Sequence, residues 1–144
     1  LRKLTYIVVF LISVTGHAQN WQRSYTDAVA LAQNEEKPII LIFSGSDWCA
    51  PCIKLDRTIW QSQDFKDHAR DNYVLYKADF PRKKANQLPE KIKIENQGLA
   101  DIFNPEGHFP LVLVLNKDQK VLGKTGYQKI PPGAYISLLN TFLK

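Results

Sequence analysis

The chain has no methionine, only two cysteines, and three histidines, His17, His68 and His108, scattered without ligand spacing. These shortages exclude several classes. A structural zinc site takes four ligands, and there is no second C-x-x-C to complete one. A soft copper site favours sulfur ligands, so a methionine-free chain with one cysteine pair is a poor metallochaperone, and no metal or other cofactor is expected. Long apolar runs are also missing: the longest, Leu4 to Val14, has eleven residues, too few to span a bilayer unaided. No internal repeat or low-complexity segment is present.

The N-terminus carries an address. Arg2-Lys3 precedes the apolar run, and Gly16-His17-Ala18 sets small residues at −3 and −1 of a cut before Gln19. This pattern predicts a cleaved signal peptide over residues 1–18, followed by one domain over 19–144 in the periplasm or outside the cell; a retained N-terminal membrane anchor is the alternative. No cysteine follows the cut, which argues against a lipoprotein. Removing residues 1–18 takes away Arg2 and Lys3 and no acid, leaving 17 basic against 14 acidic side chains, about +3. So mild a balance does not imply nucleic acid. The one dense basic cluster, Arg82-Lys83-Lys84, reads as a solvated loop, with docking of an acidic partner the lesser use.

Both cysteines fall in one stretch, Trp48-Cys49-Ala50-Pro51-Cys52, directly after the apolar run Ile39 to Phe43. That order predicts a buried strand, a turn through Ser44-Gly45-Ser46-Asp47, and a helix from about Cys49 to Trp60. Cys49 is expected in the first helical turn, where unpaired N–H groups and the positive end of the dipole favour a thiolate. Cys52, one turn on, could attack a mixed disulfide formed at Cys49. A staple closing so short a loop would constrain the unfolded chain by only about 2 kcal/mol. The spacing therefore points to thiol-disulfide exchange, acting on the disulfides of other exported proteins.

The remaining elements follow from periodicity and turn chemistry. Helices are predicted at about Thr26 to Glu36 with Thr26 as N-cap, after Ser62, over Glu90 to Phe103 with Ile92, Leu99, Ile102 and Phe103 inward, and after Pro131-Pro132-Gly133 with Tyr135, Leu138, Leu139 and Phe142 inward. Strands are predicted at Tyr73 to Asp79, Leu111 to Leu115 and Val121 to Gly123, the last two as a hairpin. Residues 80–90 read as a loop with little structure of its own. Trp60 reads as core rather than groove.

The stretch Trp48-Cys49-Ala50-Pro51-Cys52 resembles the W-C-G-P-C site of the thioredoxin superfamily, with Ala50 in place of glycine. Lys37-Pro38, the strand, and Ser44-Gly45-Ser46-Asp47-Trp48-Cys49 resemble exported bacterial thioredoxin-like proteins. Two further marks are Phe109-Pro110, where the family carries a cis-proline facing the dithiol, and Gly126, similar to the glycine lining its substrate groove. The resemblance implies an α/β thioredoxin fold, a central mixed sheet flanked by helices on both faces. It implies a nucleophilic, exposed Cys49, a resolving and more buried Cys52, and substrate contacts from Trp48, Ala50, Pro51, Phe109, Pro110 and Gly126. A monomer is expected, working in redox homeostasis with an upstream, membrane-bound redox partner; reductase is the leading activity, with isomerase or oxidase as alternative and apocytochrome handling behind them. Two departures stand out. The family's buried acid six residues before the first cysteine is here Phe43, leaving Lys77 without the acidic partner usual in the family and predicting slower resolution at Cys52 unless another group takes the proton. Phe109 is bulkier than the residue usual before the cis-proline, which should narrow the groove.

Overall fold

The computed structural model describes Gln19 and residues 21–144, so the expected signal peptide lies outside the described residues. Strand β1 (Ile39–Ser44) is buried at every position, as an unbroken apolar run requires of a central strand. It pairs in parallel with β2 (Val74–Asp79) and antiparallel with β3 (Leu111–Leu115), and β3 pairs antiparallel with β4 (Val121–Thr125). The strand order is β2-β1-β3-β4. The crossover from β1 to β2 runs through α2 (Ala50–Leu55), a π turn (Asp56–Trp60) and α3 (Gln63–Asn72).

Because side chains alternate along a strand, β1 feeds two cores. Ile40 and Ile42 face α2, α3 and α5 (Pro132–Thr141), where Leu55, Ile59, Phe65, Tyr135 and Leu139 close around Trp60. Ile39, Leu41 and Phe43 face α1 (Tyr25–Glu35) and α4 (Glu90–Phe103). Trp60 is core as expected, 2% exposed and edge-on to Trp21, Phe65 and Tyr135. Helices therefore cover both faces of a mixed sheet.

Three expectations are corrected. The N-cap of α1 is Ser24, whose hydroxyl accepts the Asp27 N–H at 3.0 Å; Thr26 instead lies inside the helix and its hydroxyl donates to Glu95. Ile102 is 72% exposed, because the inward stripe of α4 runs through Asn96, Leu99 and Phe103. Asn96 belongs there despite its polarity: it accepts the Tyr76 hydroxyl at 2.6 Å and donates to the Asp79 carbonyl at 3.1 Å, satisfying a buried amide. The loop over residues 80–89 holds a short 3-10 turn at Lys84–Asn86 and is tied down by side chains described below.

Candidate functional site

The turn between β1 and α2 is anchored at each of four successive residues. The Gly45 carbonyl accepts the N–H groups of Trp48 at 3.2 Å and Cys49 at 2.9 Å. A Cβ on Gly45 would lie 2.3 Å from the Trp48 ring, so only glycine lets the indole lie against the turn. Ser46 donates its N–H at 2.9 Å and its hydroxyl at 2.5 Å to the Asp79 carboxylate at the end of β2. Asp47 accepts from the backbone N–H groups of Arg82 and Lys83, both at 2.9 Å, and from the Asn86 amide at 3.0 Å. These bonds, that of Arg82 first, hold its carboxyl below the usual carboxylate range. The Trp48 indole N–H donates to the Phe80 carbonyl at 2.7 Å, and the Arg82 guanidinium stacks 3.7 Å above the Trp48 ring. Arg82-Lys83-Lys84 thus belongs to a loop latched onto the residues before Cys49.

Cys49 and Cys52 are joined in a disulfide with their Cα atoms 5.2 Å apart. Cys49 is the N-cap of α2 rather than a residue of its first turn: its backbone is extended, and its sulfur accepts the Cys52 N–H at 3.3 Å. Pro51 fits the first turn because its missing N–H would have had no partner. Cys49 is 5% exposed, against 3% for Cys52, so in this disulfide-bonded state the first sulfur is buried rather than exposed. Ala50 and Pro51 form the exposed rim beside it.

The family marks converge on this end of the sheet. The Phe109-Pro110 bond is cis. The Phe109 ring stands edge-on to Trp48 at 5.5 Å and to Phe80 at 5.6 Å, bringing the cis-proline loop against the dithiol turn. Gly126 lies against that loop: a Cβ there would come within 3.1 Å of the Pro110 carbonyl, and the Gly126 carbonyl accepts the Tyr135 hydroxyl at 2.8 Å. Buried Asn104 holds the loop from behind, its amide bonding both the N–H and the carbonyl of His108. Trp48, Phe109, Pro110 and Gly126 thus form one chain of neighbours that starts at the residue before Cys49.

Cys52 borders a different environment, a cleft of about 120 Å³ lined by Ser44, Ser46, Cys52, Ile53, Asp56 and Lys77. Lys77 finds an acid elsewhere than at position 43, where Phe43 stands. Its ammonium lies 2.8 Å from the Asp56 carboxylate and 5.0 Å from the centre of the Trp21 ring. Asp56 stands four residues beyond Cys52 on one helical face, and its N–H bonds the Cys52 carbonyl. Cys-x-x-x-Asp spacing, followed to a lysine on a strand of the same face, is the signal that would have found the pair. Phe43, by contrast, is fully buried in the opposite core, against α1 and α4.

Among the described residues no cluster of histidine, cysteine and acid could hold a metal, and no helix is long and apolar enough to cross a membrane. The thioredoxin-like family profile matches residues 20–117. Disulfide bond reductase DsbH of Chlamydia pneumoniae is 36% identical over 124 residues, covering 86% of this chain and 72% of that protein. Thioredoxin-related protein DsbJ of the same organism is 24% identical over 106 residues, which is 74% of this chain but 30% of that longer protein. The solved structure of a DsbH oxidoreductase superposes with a TM-score of 0.81 at 30% identity, over 97% of this chain and 94% of the other. A disulphide isomerase from Xylella fastidiosa Temecula1 superposes at 0.62 over 85% of this chain and 93% of that one, with 19% identity, a likeness of fold alone. With a cysteine pair capping a helix beside a cis-proline loop, and with these relatives, the chain belongs to the thioredoxin-like family and is a thiol-disulfide oxidoreductase with a redox-active Cys49–Cys52 pair.

Proposed function

We propose that this protein is an exported reductase of polypeptide disulfides, with Cys49 as nucleophile and Cys52 as resolving thiol. In the reduced state the Cys49 thiolate, facing the Cys52 N–H, attacks one sulfur of a substrate disulfide and the other sulfur leaves as thiolate. Cys52 then displaces the substrate from Cys49, closing the Cys49–Cys52 bond. Two electrons pass from the dithiol to the substrate, whose sulfurs leave reduced. The backbone of Phe109 beside Pro110 pairs with an extended substrate segment, while Trp48, Ala50, Pro51 and Gly126 border it. An upstream, membrane-bound donor returns the electrons in an oxidising compartment, the periplasm; substrates are exported proteins, and the enzyme works as a monomer.

The observation that carries this reading is the Ala50-Pro51 pair between the cysteines, close to the reductase pattern, in a chain 36% identical to a protein named as a reductase. The test compares insulin reduction coupled to a dithiol donor with refolding of a scrambled disulfide substrate. Fast insulin reduction with poor refolding is expected; efficient refolding with little reduction would make the protein an isomerase. In the cell envelope, Cys52→Ser should accumulate mixed disulfides with exported proteins, and a variant that accumulates none would reverse the assignment of the two sulfurs.

A further inference from the structure

We infer that Asp56, held by Lys77, is the proton acceptor that turns Cys52 into a nucleophile when it resolves the mixed disulfide, a role that rests on the reductase reading above. Cys52 is 3% exposed, and in the mixed disulfide its thiol must lose a proton before its sulfur can attack. The cleft beside it has two titratable side chains besides the thiol, Asp56 and Lys77; the rest of its wall is Ser44, Ser46 and Ile53. At about 120 Å³ the cleft has room for water, so a proton can pass from sulfur to carboxylate through one molecule. Asp79 and Asp47, the other nearby acids, already take N–H or O–H bonds from Ser46 and from the latched loop. Among the described residues Asp56 is ion-paired to Lys77, itself braced against Trp21, and takes one longer bond from the Gln61 amide at 3.4 Å, so its carboxylate is less engaged than theirs. Lys77 keeps the carboxylate at the cleft.

The step balances. The Cys52 proton goes to the Asp56 carboxylate, the Cys52 sulfur forms its bond to the Cys49 sulfur, and the bond from Cys49 to the substrate sulfur breaks. The substrate leaves as thiolate and is protonated by solvent, and Asp56 returns its proton to water. The π turn that begins at Asp56 closes with the Gln61 N–H bonding the Asp56 carbonyl at 2.9 Å, fixing the backbone of this residue directly after the dithiol helix.

The experiment reacts the reduced full chain with an aromatic disulfide that releases a coloured thiolate twice, first on attack by Cys49 and again on resolution by Cys52. Asp56→Asn should leave the first phase unchanged and slow the second about 10- to 100-fold near pH 6.5. The gap should narrow steadily as pH rises and hydroxide takes over the proton. Lys77→Gln should slow the second phase in the same pH-dependent way to a smaller degree, and Asp56→Glu should recover part of the rate. A second phase untouched by Asp56→Asn, or slowed by one factor at every pH, would overturn the inference. A wild-type protein without a first phase would instead overturn the reductase reading, so the two failures are distinct.

Discussion

Only Ala50 and Pro51 separate Cys49 from Cys52, yet the two sulfurs have unlike neighbours. On the Cys49 side stand Trp48, Phe80 and Phe109, with Arg82 stacked on the indole and Asp47 holding the loop over residues 80–87. On the Cys52 side is a small polar cleft with one ion pair. The first environment suits recognition of an extended chain; the second suits movement of a proton. The stretch from Ser44 to Asp47 serves both, since Ser44 and Ser46 line the cleft while Gly45 and Asp47 hold the aromatic side in place.

The strongest way to break this division is to remove the first sulfur. Cys49→Ser should lower disulfide reduction by a factor on the order of 10³ or more, and insulin turbidity reads the loss directly. Gly45→Ala comes next. Its Cβ would force the Trp48 ring away, destabilising the fold by about 1–3 kcal/mol in urea titrations. It should slow attack by Cys49 more than resolution by Cys52; equal slowing would erase the contrast between the two sides.

Acid should loosen the aromatic side. The folded state holds the Asp47 carboxyl below its ordinary value of 3.8, so its bonds to the loop contribute in full above that pH. The contribution fades as pH falls through the lowered folded value, and Trp48 fluorescence should change there as Arg82 departs. Asp47→Asn should abolish this acid transition; a variant that keeps it would assign the transition elsewhere. The smallest effect belongs to a site remote from both sulfurs. Gln119 has φ +65°, and Gln119→Gly should raise stability by about 1 kcal/mol while leaving both phases of thiolate release unchanged.

Much of this molecule was legible before its structure. The apolar run of β1, the Pro51 that opens α2, and the β3–β4 hairpin are local signals, and each governs local backbone. Phe109-Pro110 and Gly126 were readable through the family resemblance, and the cis bond and the contact between them agree. What escaped was long-range and polar. Nothing near Asp47 in sequence says that it binds N–H groups 35 and 36 residues later. The acid that pairs with Lys77 lies beyond Cys52 on the helix rather than six residues before Cys49 on β1. Ile102 is exposed although apolar, because hydrophobicity alone does not reveal that Asn96 takes a place in the buried stripe.

The central claim, that the Cys49–Cys52 pair gives electrons to polypeptide disulfides, is tested most directly by equilibrating the pair with a glutathione redox buffer and titrating the fraction of free thiol. The account predicts a potential near that of thioredoxins, about −270 mV. A potential at or above about −180 mV, the range of isomerases and oxidants, would contradict it.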